Sequence, residues 1–341
     1  MKYSRFLLFI VMGLLTGCGA SQGNIDIKTI TPMPSQSAAA ILPVFSFKIA
    51  STPNSGLGML DKEISQWITE SVPNVKAELV GADSMMENLK LLTSGKVGMA
   101  FGYDYHAILA NKGKLASVFP NAQPEKISIK CGVEITRMPF PDYSQPVRII
   151  SPIYEQPLFV ITTSNPGVAA LSDLKGKRVS TGAPQSVTEE LAGYVLKGLE
   201  VNEEDFVRAS MDLEEALSAL TDKEIDAVFW SGRTSDLANI PANLILLPIT
   251  ESDAETVMRV NPDIFHIAHI PAGRMPSIHN DMRTIAVIFT LLAMQDFPSD
   301  IIVNSLGALE KQGLTEDALL LNSAAAQYLH EGAAAYFTNN K

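Results

Sequence analysis

Fifteen residues, Glu87 to Phe101, recur at a constant offset of 128 as Glu215 to Phe229. Glu87, Leu89, Leu92, Thr93 and Phe101 match Glu215, Leu217, Leu220, Thr221 and Phe229, and Val97 stands opposite Ile225. Each copy reads as an amphipathic helix feeding a buried strand, because apolar residues three and four apart give way to a short apolar run. Helix–strand pairs share that periodicity by default, so one reading is a common pattern; the other, which the flanking segments favour, is two equivalent α/β lobes.

Those segments extend the pattern. Phe45, Phe47 and Ile49 alternate with polar residues as in a half-buried strand, and the loop Ser51 to Gly58 ends it. Leu60, Ile64, Trp67, Ile68 and Val72 recur at helical spacing until Pro73, after which Val75, Ala77 and Leu79 return to a period of two. With a helix ending at Ser94 and a strand over Val97 to Phe101, the order is βαβαβ, which requires right-handed crossovers and a mostly parallel sheet. The second half reads as a strand over Leu158 to Thr162, a turn over Leu171 to Leu174, a strand over Arg178 to Thr181, helices over Val187 to Lys197 and Leu213 to Thr221, and a strand over Ile225 to Trp230. Beyond it come a strand over Leu244 to Ile249, an acidic helix over Glu251 to Val260, a strand over Ile264 to Ile270, an apolar run from Thr284, and a cap at Phe297-Pro298-Ser299 that opens the C-terminal helices. The expected fold class is α/β, two lobes joined by a hinge, with the last helices returning to the first lobe.

The start of the chain reads as an export signal. Lys2 and Arg5 precede the apolar run Phe6 to Leu15, which at ten residues is too short for a bilayer span of about 20. The bland reading is a secretory signal cut after Gly19 or Ala20; the other is that Leu15-Thr16-Gly17-Cys18 resembles the lipobox, whose cysteine is diacylated. Residues 1–17 are then the signal peptide and 18–40 a lipidated Cys18 with a Ser-, Gln- and Pro-rich tether. Residues 41–155 are expected to form the first part of lobe 1, 156–272 lobe 2, and 273–341 the return to lobe 1. The formal charge of −11 falls near −13 once Lys2 and Arg5 are gone, which disfavours nucleic acid as a partner.

Candidate chemistry is sparse. After Cys18 only Cys131 remains, without a neighbouring base or helix N-terminus. His266 and His269 are three apart in a strand-like run, so they point to opposite faces and do not form a metal pair. No Gly-x-Ser-x-Gly, phosphate-loop or His-Glu-x-x-His motif occurs, so no catalytic residue, metal or cofactor is expected. An exported enzyme using Cys131 or His106 is the competing class. The loops Ser51 to Gly58, Gly81 to Ser84 and Gly182 to Thr188 each join a strand to a helix and carry small or hydroxyl residues. At strand C-termini such loops either bind anions through free backbone N–H groups or serve as ordinary caps. Arg233, just past a buried strand, either clamps a carboxylate or pairs with Asp236 at the surface. Tyr103 and Asp104 hold the matching place in the first lobe, where Asp104 would suit an ammonium group.

With these elements in place, the chain resembles the TAXI family of TRAP-transporter receptors over about Phe47 to Tyr336. The residues carrying the resemblance are Glu87-Asn88-Leu89-x-x-Leu92-x-x-Gly95-x-Val97 with Phe101, Leu171-x-Asp173-Leu174-Lys175-Gly176-Lys177-Arg178-Val179, Gly182-x-Pro184-x-Ser186-x-Thr188-Glu189, Ile225-Asp226-Ala227-x-Phe229, Ile270-Pro271-Ala272-Gly273 and His330-x-Gly332-Ala333-x-x-Tyr336. The resemblance implies a type 2 periplasmic-binding-protein fold, a small anionic solute such as glutamate or 2-oxoglutarate, no catalysis, and delivery to a TRAP-type permease. A ligand-presenting protein for a sensor kinase or an ABC permease is the alternative on the same fold. With the lipobox-like Cys18, a lipid-anchored location outside the cytoplasm is expected, and a monomer. The family's ligand loops fall on Thr52, Asn54, Ser55, Gly56 and Met59; on Gly81 and Ser84; on Tyr103 and Asp104; on Gln185, Ser186, Val187 and Thr188; and on Ser231 and Arg233. The chain departs from the family in Pro53-Asn54-Ser55-Gly56, in Gly182-Ala183-Pro184-Gln185, and in a longer stretch from Asn121 to Pro146.

Overall fold

Alternation drives Phe47 and Ile49 of strand β1 (Phe45–Ser51) into the core while Ser46 and Lys48 face outward. The computed structural model describes residues 43–52, 58–119, 123–129, 133–164, 168–241, 243–274, 278–314, 321 and 323–339. Within them β1 lies parallel to β2 (Val75–Gly81) and β3 (Met99–Tyr103), connected by α1 (Gly58–Ser71) and α2 (Met85–Thr93). Helix α2 begins where Ser84 accepts a hydrogen bond from the Glu87 N–H, and it buries Asn88, Leu89 and Leu92. Helix α3 (Asp104–Asn111) follows β3 directly, so Tyr103 ends the strand instead of standing beyond it as the sequence suggested.

The second βαβαβ unit is β7 (Arg178–Ser180), α4 (Val187–Gly198), β8 (Val207–Ala209), α5 (Leu213–Thr221) and β9 (Ala227–Ser231), with β7 parallel to β8 and β9. Helices α2 and α5 start and stop 128 residues apart, as do β3 and β9 and the capping residues Ser84 and Asp212. The repeat seen in the sequence is therefore a repeat of backbone elements at the same register.

Two long strands cross both units. β6 (Val147–Thr163) and β12 (Met282–Met294) pair antiparallel from Ile285–Leu158 to Met294–Val147. β12 also lies antiparallel to β3, β6 antiparallel to β9, and β10 (Leu244–Leu247) and β11 (His266–Ile270) add to β6 and β12. One half of the ten-stranded sheet thus runs β2-β1-β3-β12-β6 and the other β8-β7-β9-β6-β10, the same order twice. The result is a mixed α/β sheet with flanking helices, the arrangement expected of a type 2 periplasmic-binding-protein fold. The expected division at residues 155 and 156 falls within β6, so the halves share their central strands.

β6 is three times longer than the strand read over Leu158 to Thr162. Pro152 and Pro157 interrupt its pattern in sequence, and in the sheet two register shifts leave Ile153 and Ile150 without partners on β12. Such bulges accommodate a proline that cannot donate to the ladder. Both long strands are buried almost throughout, and Phe101 stacks on Phe289 with ring centroids 5.5 Å apart. Burying each ring is worth about 1.5–3 kcal/mol. A smaller cluster, with Phe159, Ile161, Leu220 and Val228, packs beneath α5.

The C-terminal α7 (Ser299–Glu310) and α9 (Glu331–Asn339), with the short α8 (Ser323–Ala326) between them in sequence, pack on each other, and α7 also lies against α1. His330 N–H donates to the Ile149 carbonyl at 2.8 Å. Within Phe297-Pro298-Ser299 the cap position of α7 is held by Pro298, and the Ser299 hydroxyl donates to Glu331 Oε1 at 2.7 Å, tying α7 to α9. The stretch from Asn121 to Pro146 carries a hairpin, β4 (Glu125–Ile129) and β5 (Val133–Arg137). Among the described residues, no helix is long and apolar enough to cross a membrane.

Candidate functional site

The ends of β3 and β9, equivalent in the repeat, meet at one side chain of β6. Tyr103 and Tyr154 each donate a hydroxyl to Gln156 Oε1, at 3.3 and 3.0 Å, while Gln156 Nε2 donates to Ser231 Oγ at 3.1 Å. Phe289 fixes the two tyrosines, stacking on Tyr154 at 5.2 Å and meeting Tyr103 edge-on at 5.6 Å. The first residues of α4 join this network: Thr188 Oγ1 accepts from Ser231 N–H at 3.1 Å and donates to its carbonyl at 3.4 Å. Buried polar groups of this density require complete pairing, and Gln156 supplies it.

A second contact spans the halves two residues further along the chain on each side. Tyr105 on α3 donates to Glu190 Oε1 on α4 at 2.6 Å, and His106 Nε2 stands 3.9 Å from the same oxygen. His106 Nδ1 accepts from Tyr103 N–H at 3.1 Å. Burial lowers the imidazole pKa to about 3 and raises the Glu190 carboxyl to about 8, against the smaller lowering effect of the Tyr105 bond. Asp61 on α1 is also buried: Ser51 donates to its Oδ2, its Oδ1 has no partner, and desolvation outweighs the Ser51 bond to raise its carboxyl to about 6.

Beside Glu190 a cavity of about 620 Å³ opens between the halves. Ser84, Met85, Met86 and Phe119 form one wall; Gln185, Ser186, Glu189, Glu190 and Tyr194 form the other, with Arg208 at the edge. Arg208 is committed, donating to Glu203 Oε2 at 3.0 Å and to Thr181 Oγ1 at 2.8 Å, with Glu189 at 3.7 Å. A larger depression of about 870 Å³ between α2 and residues 138–145 contains none of the expected ligand residues.

Of those residues, Ser84, Gln185 and Ser186 line the cavity, and Tyr103, Thr188 and Ser231 belong to the adjoining network. Val187 begins α4 half-buried, Gly81 ends β2 exposed, and Thr52 Oγ1 accepts from Asn88 Nδ2 at 3.1 Å. Asn54, Ser55, Gly56, Cys18 and Cys131 lie outside the described residues; Met59 lies in α1. Asp104 is not open to an ammonium group in this structure: it is 2 % exposed, and its Oδ1 accepts from Ile288 N–H on β12 at 3.1 Å. Arg233 takes the surface alternative, its Nε 3.6 Å from Asp236 Oδ1, while its positive charge acts on the Tyr154 hydroxyl. Ser84 and Ser186 both act as caps, accepting from Glu87 and Glu189 N–H. His266 and His269 do face opposite ways, and His266 Nε2 lies 2.9 Å from Glu155 Oε1. Among the described residues, no three His, Cys, Asp or Glu side chains cluster as metal ligands.

Sequence reasoning missed Tyr154, Gln156, Asp61, Tyr105, Glu190 and Arg208. One signal was present: Glu155-Gln156 is a polar pair inside an apolar stretch from Ile149 to Ile161.

The family model described as the NMT1-like family matches residues 137–340, more than half of the chain. Among solved structures, an amino acid ABC transporter substrate-binding protein from Streptococcus pneumoniae, bound to L-arginine, is 12% identical over 85% of this chain and 95% of its own, with a TM-score of 0.39. The periplasmic aliphatic sulphonate binding protein of Escherichia coli is 12% identical over 87% and 84%, with a TM-score of 0.42. A putative L-cystine ABC transporter protein from Listeria monocytogenes is 16% identical over 84% and 97%, with a TM-score of 0.43.

Proposed function

The chain belongs to the NMT1-like family, and on that premise we propose that it is a non-catalytic solute-binding receptor of a membrane transporter. The observation that carries this reading is the pair of like-ordered sheet halves whose equivalent strand ends converge beside one cavity. Residues 41–155 with 273–341, and residues 156–272, act as lobes that close on a small carboxylate-bearing solute, an amino acid or a dicarboxylate. β6 and β12, the strands common to both halves, form the hinge. Hydroxyl, amide and carboxyl groups gathered beside the cavity suit the capture of a polar solute. Within this reading the chain is of the TAXI type, tethered outside the cytoplasm through an acylated Cys18 and feeding a TRAP-type permease.

The test is a thermal-shift screen of the full-length protein against amino acids, dicarboxylates, oxo acids and sugars, followed by small-angle scattering. A ligand at about 100 times its dissociation constant adds about 2.7 kcal/mol of stability. The expected result is a strong shift with one carboxylate-bearing solute and a smaller radius of gyration in the complex. Saturation without compaction sinks the receptor reading.

A further inference from the structure

Glu190 sits on the cavity wall with 13% of its side chain exposed. Among the ion pairs of the described residues, none gives it a lysine or an arginine. Among those ion pairs its basic partner is His106, with Nε2 at 3.9 Å. Because His106 Nδ1 already accepts from Tyr103 N–H, the neutral ring carries its proton on Nε2, and that atom has no hydrogen-bond partner. The cavity's guanidinium, Arg208, is held by Glu203, Glu189 and Thr181. Lys197, further along α4, lines the cavity but forms no ion pair with Glu190. Tyr194, one turn along, lines the same wall with its hydroxyl unpartnered, and Met85 and Phe119 face it across an apolar surface.

We infer that Glu190 is the recognition group for an organic ammonium: a cavity wall with a cation-free buried carboxylate, flanked by aromatic rings and an unpartnered hydroxyl, takes a positively charged nitrogen on an apolar stem. The ammonium donates to the Glu190 carboxylate, and Tyr194 and Phe119, which line the same cavity, flank it. This deepens the receptor reading and rests on it, selecting amino-bearing solutes over dicarboxylates. The position of the Glu190 carboxyl, pushed up to about 8 by burial, fits a group that lacks a cation in the empty protein. The groups facing it are Tyr105 and His106 from α3, Tyr103 from β3, and Glu189, Tyr194 and Lys197 from α4, none of which supplies that cation.

The experiment is titration calorimetry of the full-length protein with n-pentylammonium, pentanoate and n-pentanol as probes. Pentylammonium is expected to bind best, to release a proton near neutral pH as Glu190 ionises, and to tighten as the pH rises from about 6 to about 9. Glu190→Gln, which keeps the shape and the Tyr105 contact, is expected to weaken it about 10- to 100-fold and to end the proton release. Pentanoate binding as tightly as pentylammonium, or unchanged binding by Glu190→Gln, overturns the inference. No binding of pentylammonium beside a strong thermal shift with a dicarboxylate also overturns it and leaves the receptor reading standing; no response to any solute sinks both.

Discussion

Tyr103 and Ser231 occupy the same position in the two repeated units, 128 residues apart, and both end on Gln156. Gln156 is 3 % exposed and uses its amide oxygen for the first unit and its amide nitrogen for the second.

Replacing Gln156 by Leu leaves the hydroxyls of Tyr103, Tyr154 and Ser231 without this partner. Each buried polar group left unpaired costs about 1–3 kcal/mol, so Gln156→Leu is expected to destabilise the protein by several times the cost of Tyr103→Phe. Urea unfolding of the two variants checks this; equal midpoints would show that the network contributes no more than a single bond.

The elevated Glu190 carboxyl fixes the sign of a pH effect. Its pKa is about 8 in the folded protein against 4.5 as the ordinary value, so between those limits the folded state binds more protons than the unfolded one. Its contribution is therefore fully present below about pH 4.5 and is lost as pH rises through 8. His106 acts oppositely: lowered from 6.5 to about 3, it favours the folded state above pH 6.5 and loses that contribution as pH falls toward 3. Glu190→Gln is expected to raise Tm by a few degrees at pH 8.5 and to leave it nearly unchanged at pH 4. A calorimetric scan at both values decides, and an equal gain at both would assign the effect to packing instead.

Gly182, at the turn into α4, has φ +98°, and a Cβ there would lie 2.7 Å from Thr188 Cβ and 2.9 Å from Ser186 Oγ. Gly95 has φ +72° but nothing within 4 Å of its added Cβ. Gly95→Ala therefore costs backbone strain alone, about 1 kcal/mol, whereas Gly182→Ala adds a clash and displaces Thr188 from Ser231. The predicted order of unfolding midpoints is wild type, Gly95→Ala, Gly182→Ala, and the last variant alone should show faster hydrogen exchange at the Ser231 amide.

What the sequence revealed and what it hid follow from the range of the interactions involved. Helices α5 and α6 (Glu251–Val260) begin and end where they were read, because Asp212 and Thr250 cap them locally and their apolar spacing is regular. β6 was read short because Pro152 and Pro157 break its pattern, and the bulge beside Pro152 forms only against β12, about 140 residues away. The hydroxyl and small residues at loop ends were visible, and Ser84, Gln185 and Ser186 do reach the cavity. Glu190 was not visible, since its meaning comes from Tyr105, which is 85 positions distant. Arg233 could be weighed only as clamp or surface pair, and nothing local chose between them.

The shared strands also govern the order in which the chain can become a protein. β3 has an unpaired edge until β12 arrives, nearly two hundred residues later, and the N-terminal part of β6 waits for the same partner. A nascent chain emerging from the ribosome therefore cannot complete its first half before its second half has been synthesised. Pairings this distant in sequence form slowly. The long delay leaves an interval in which the polypeptide is still a thread with its longest strands unpaired.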